Sequence, residues 1–106
     1  MHDDESYASA VYRIISEEYV AETISAKEDG LGIKLECVSA FGLVTVAWIS
    51  PATTADLIKM EVIGDNAKHS MILVPAASCS FRFSRFKPGK GEAIKIVGFG
   101  EKPDSN

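Results

Sequence analysis

The sequence predicts an α+β fold: one N-terminal helix followed by a mostly antiparallel β-sheet of about six or seven strands, as a sandwich or a partly closed barrel. Three observations carry this. Apolar residues near the start recur at helical spacing, at Tyr7, Ala8, Val11, Ile14 and Ile15. From Ile33 onward short runs alternate with period two or are continuously apolar. Glycine and proline punctuate those runs at short intervals.

The helix is expected over residues 4–17. Asp3 or Asp4 can cap it, and acids there suit the positive end of the helix dipole. At about 100° per residue, Glu18 and Glu22 fall in the middle of the apolar stripe. Residues 19–27 are therefore ambiguous. Their β-branched and aromatic content leans towards a strand, with a single long helix over 4–28 as the competitor. The Asp29-Gly30 step favours a turn.

Ile33–Cys37 alternates and reads as a strand, and Phe41-Gly42 as a bend. Leu43–Ile49, nearly all apolar and containing Trp48, reads as a central strand closed by Ser50-Pro51. Ile58, Met60 and Val62 form a half-buried strand, with a short helix from Thr54 as the alternative. A turn at Gly64-Asp65-Asn66 leads to Met71–Val74, expected as a buried strand ending at Pro75. The chain reads as one domain over residues 1–100, and residues 101–106 read as a disordered tail.

The segment 81–95 looks like a hairpin. Pro88-Gly89 signals a type II turn. With Lys87 and Lys90 flanking that turn, Phe83 faces Ile94, Phe81 faces Ile96, Arg85 faces Glu92 and Arg82 faces Lys95. One face then becomes a basic stripe that also holds Phe86.

The 106 residues carry a formal net charge of −4, unevenly spread. Residues 1–65 hold twelve acids and four bases, whereas residues 66–91 hold five bases and no acid. An acidic start without an apolar run does not resemble a signal peptide, so a cytoplasmic protein is expected. No apolar stretch reaches transmembrane length, and no membrane partner is expected. Cys37 and Cys79 lack metal-ligand spacing and read as buried thiols, or as a disulfide if their strands face each other. No metal or other cofactor is expected.

The reading that results is a small non-catalytic binding or assembly protein, acting through protein–protein contacts as an adaptor, inhibitor or complex subunit. Its expected contact residues are Arg82, Arg85, Phe86, Lys87, Lys90 and Lys95. A second surface is expected at Glu17, Glu18 and Glu22. Exposed edge strands make a homodimer plausible. The first alternative is single-stranded nucleic-acid binding through the basic-aromatic segment, against which the net negative charge weighs. The second is a small enzyme using His69 beside one of the cysteines.

Overall fold

The computed structural model describes residues 6–52, 56–64, 67–89 and 96–100. A single helix, α1 (Tyr7–Glu28), precedes the strands β1 (Gly32–Ser39), β2 (Gly42–Pro51), β3 (Leu57–Ile63), β4 (His69–Pro75), β5 (Ser80–Phe86) and β6 (Gly98–Phe99). The five longer strands pair antiparallel in the order β4-β3-β2-β1-β5, and β6 adds parallel to β2. The fold is α+β, with the sheet open rather than closed into a barrel.

The helix is longer than its first apolar stripe suggests, and residues 19–27 are helical, not a strand. The residues that bury are Ala8, Ile15, Tyr19 and Ala26, spaced seven, four and seven apart on one face. Tyr7 and Ile14, which the sequence reading placed in the stripe, are exposed, as are Val20 and Ile24. Two alanines at the ends of the buried face let α1 approach the sheet closely, and small residues contribute little to a hydrophobic pattern. That is why the stripe seemed to fail at Glu18, which is exposed, and at Glu22, which is half-buried.

Ser6 is the N-cap, its hydroxyl accepting the Ser9 N–H at 3.0 Å. Asp56, just before β3, supplies a further acceptor for the Ala8 N–H at 3.3 Å. At the other end Gly30 adopts φ +72°. Its N–H reaches the Lys27 carbonyl while the Leu31 N–H reaches that of Ala26. This is the Schellman arrangement that a left-handed glycine permits.

β1 and β2 are joined by a tight reversal, where a bend had been expected. Ser39 pairs with Gly42, and Gly42 takes φ +89°. Alternation then sorts the side chains. Ile33, Leu35 and Cys37 of β1, Val46 and Ile49 of β2, and Ile58, Met60 and Val62 of β3 form the core with α1. An extra residue at Ala47 shifts the β2–β3 register between Val46 and Trp48. The bulge keeps both Val46 and Ile49 on the core side and turns Trp48 towards the other face, opposite Glu61.

β4 was expected to be buried, yet it is an edge strand with Met71 and Leu73 about half exposed. Its position explains this: it has one neighbour in the sheet, and α1 covers only the side bearing Ile72 and Val74. The short 3-10 turn Ala76–Ser78 and Cys79 join β4 to β5, which stand at opposite ends of the strand order. The connection crosses the helix-covered side of the sheet, where Ala76 is buried in the core.

Of the anticipated hairpin pairs only Phe81–Ile96 falls on described residues, and it is not formed. Phe81 and Phe83 pair with Cys37 and Leu35 of β1. The chain at 96–99 lies instead beside β2, with Gly98 opposite Trp48 and Phe99 opposite Ile49. Ile96 is 79% exposed and lines a cleft with Phe86 and Ile33, so it does not sit opposite Phe81. Residues 90–95, which would hold Lys90, Glu92, Ile94 and Lys95, lie outside the described residues, as do the tail 101–106, Asp3, Asp4, Thr54, Asp65 and Asn66. No helix among the described residues is long and apolar enough to cross a membrane.

Candidate functional site

Helix α1 covers one face of the sheet. The opposite face is built from the alternate residues of each strand: Met71 and Leu73 on β4, Lys59 and Glu61 on β3, Leu43 and Thr45 on β2, Lys34, Glu36 and Val38 on β1, and Arg82, Ser84 and Phe86 on β5. Val38, Leu43, Met71 and Leu73 are each 46–55% exposed. Val38 and Leu43 are direct cross-strand partners. This face therefore carries two exposed apolar pairs, Val38–Leu43 and Met71–Leu73, with Thr45, Glu61, Ile63 and the buried Trp48 between them.

Along β1 and β5 the cations are held by acids of the same chain. Arg82 lies opposite Glu36, its Nε 3.0 Å from Oε1. The Ser84 hydroxyl donates to the same oxygen at 2.6 Å. The Ser84 hydrogen bond, reinforced by Arg82, holds the Glu36 carboxyl below the usual carboxylate range. Arg85 points to the helix side, where one guanidinium nitrogen meets Asp29 Oδ2 at 2.9 Å and the other reaches Ser25 Oγ at 2.8 Å. It ties β5 to the end of α1. Phe86 is half-buried over Gly32, and Lys87 is exposed.

Of the six residues expected to form one basic surface, Arg82 and Phe86 share the open face and Lys87 follows them. Arg85 lies on the other side of β5. Lys90 and Lys95 are outside the described residues. Arg82 forms an ion pair with Glu36 of β1, while its expected partner Lys95 lies outside the described residues. Glu17 and Glu18 are exposed on α1, away from the open face, and Arg13 lies 3.9 Å from Glu17.

Between β1 and β2 the sheet parts. Their pairing runs only from Glu36–Thr45 to Ser39–Gly42. Beyond it a cleft of about 750 Å³ opens, lined by Ile33, Val46, Ala47, Ile63, Phe86 and Ile96, with Lys34 and His69 at its polar margin. Val97 and Phe99 close the gap from the helix side. The Val97 N–H donates to the Tyr19 hydroxyl at 3.0 Å, and Phe99 packs against Tyr12 and Tyr19. Trp48 is buried, as its apolar run suggested, but its indole N–H finds no acceptor in the described structure.

The titratable groups considered for catalysis are not brought together. His69 begins β4 and its Nδ1 lies 2.6 Å from Glu61 Oε2. Cys79 follows the far end of β4, roughly 20 Å along the strand, and Cys37 lies on the helix-covered face. The two cysteines do approach each other, across β1 and β5, as free thiols. Burial pushes the Cys37 thiol up to about 12, aided by its neighbour Cys79, which leaves it protonated and unreactive. Among the described residues no group of three or more His, Cys, Asp or Glu side chains could hold a metal ion.

The open face was only partly visible in the sequence. The alternation of β3 and β1 indicated two-faced strands, but nothing local showed that one helix would cover a single side. Comparison with known protein families, curated proteins and solved structures finds no match for this chain.

Proposed function

We propose that this protein is a non-catalytic binding or assembly protein that works through protein–protein contacts on the open face of its sheet. The observation that supports this most is the exposure of Val38, Leu43, Met71 and Leu73 on the face of the sheet opposite α1. Exposed apolar patches rimmed by charge are a common form of protein contact surface. Arg82 and Lys87 give one rim a cationic character and favour acidic groups on the partner, although Glu36 already neutralises part of it. That neutralisation also weighs against single-stranded nucleic acid as the partner, since Arg82 is less available to phosphate.

The test is native mass spectrometry of the protein purified from its own host, repeated with Leu43→Lys. The wild-type chain is expected to carry a second protein chain, its own or another. The substitution is expected to reduce that complex while circular dichroism remains unchanged. A chain that is monomeric and unaccompanied under all conditions would overturn the proposal.

A further inference from the structure

We infer that β4 is a self-pairing edge, through which two copies of this chain join their sheets about a two-fold axis. The inference rests on the protein-contact reading above and names a partner for it: a second copy. A sheet edge presents a row of backbone N–H and C=O groups that is a ready template for another strand. Proteins that stay monomeric blunt such edges with charge, proline or a bulge.

The two ends of this sheet differ in that respect. β5 carries Arg82 and Arg85, and charged side chains are one of the devices that blunt an edge. β4, His-Ser-Met-Ile-Leu-Val-Pro, contains no Asp, Glu, Lys or Arg, and its single proline is its last residue. It is also regular: its pairing with β3 runs unbroken from Leu57–Pro75 to Ile63–His69. Its one titratable residue, His69, is engaged by Glu61 of the same chain. No strand among the described residues occupies its outer edge.

Antiparallel pairing fixes the geometry further. Residues directly opposite each other must both point their backbone groups towards the partner or both point away. In a self-pair, odd-numbered residues therefore meet odd-numbered ones. Overlapping the whole of β4 leaves one register, centred on Ile72 facing its own copy. That register sets Met71 of each copy opposite Leu73 of the other, twice by symmetry. Both are about half exposed on the open face and would be covered together. Ser70 then meets Val74, and His69 meets Pro75. The axis stands perpendicular to the sheet, so both helices lie on one side and the two open faces become continuous.

The test uses the full chain and two double variants, with mass read by native mass spectrometry and light scattering and folding read by circular dichroism. The wild-type protein is expected to be a dimer. Met71→Lys with Leu73→Lys places like charges opposite each other at both positions and is expected to raise the dimer dissociation constant on the order of tenfold or more. Met71→Glu with Leu73→Glu serves as a second repulsive pair. Met71→Lys with Leu73→Glu places opposite charges across the axis and is expected to restore the dimer. Within one chain it is also well tolerated, because Met71 adjoins Glu61 and Leu73 adjoins Lys59 on β3.

A dimer that survives both repulsive variants, or a folded charge-swapped variant that stays monomeric, overturns the inference. So does a wild-type chain that is monomeric alone. If that monomer still carries a different protein from its host, the broader reading stands while self-pairing fails. If it carries nothing, both fail.

Discussion

Glu36 shows how a single residue is set by what its neighbours place beside it. In β1 it is one of the polar residues of an alternating strand. In the sheet it accepts from Ser84 and pairs with Arg82, two residues of β5. Both contacts favour the carboxylate, so the folded chain binds this proton more weakly than the unfolded chain does. The resulting stability is present above the ordinary carboxylate range and is lost as pH falls through the depressed folded value. Glu36→Gln is expected to lower stability near neutrality and to flatten the acid limb of stability against pH, measured by urea unfolding from pH 7 downwards. An acid limb as steep as that of the wild-type protein would contradict this assignment. Glu36 is legible from sequence as an exposed strand position. Its partners are not, because they lie about fifty residues later, on a strand that no local signal ties to β1.

The shortest element depends on the most specific close approach. β6 is two residues long and runs parallel to β2, with Gly98 against the Trp48 ring. A Cβ at Gly98 would sit 2.9 Å from Trp48 Cδ1, closer than such atoms tolerate, so glycine is required there by packing rather than by backbone angle. Gly98→Ala is expected to displace either the strand or the indole, shifting Trp48 emission and speeding hydrogen exchange at the Val97 amide held by Tyr19. Unchanged fluorescence and exchange would show that the neighbouring chain yields without cost. The helix teaches the complementary lesson. Its end was readable from Asp29-Gly30, whereas its N-cap is Ser6 rather than the expected Asp3 or Asp4. Its length was obscured because the buried face is closed at both ends by alanines, while exposed Val20 and Ile24 resemble strand residues.

At the scale of the molecule, α1 and all five longer strands contribute to one core or pack against it. Arg85, Asp56 and Tyr19 add polar ties between helix and sheet. A chain built this way is expected to unfold as one cooperative unit. Leu35→Ala in β1 removes a fully buried side chain and is expected to cost about 2–5 kcal/mol. Ile15→Ala in α1, near the same core, is expected to cost a similar amount. In both variants helix loss by circular dichroism and Trp48 emission should shift to the same lower midpoint. Separate midpoints for the two signals would show that helix and sheet are energetically independent.

The sequence by itself determined the class, a helix followed by strands, the reversals at Asp29-Gly30 and Phe41-Gly42, and the central place of β2. Those features rest on local periodicity and on the fixed conformational preferences of glycine and proline, which a short window of residues contains. Only the tertiary structure decided that β5 pairs with β1, that β4 stands uncharged at an edge, and that one sheet face is left open. Each of those depends on which distant segments meet. Many antiparallel pairings satisfy the same alternation, and the choice among them falls to the core that α1 closes on one side of the sheet.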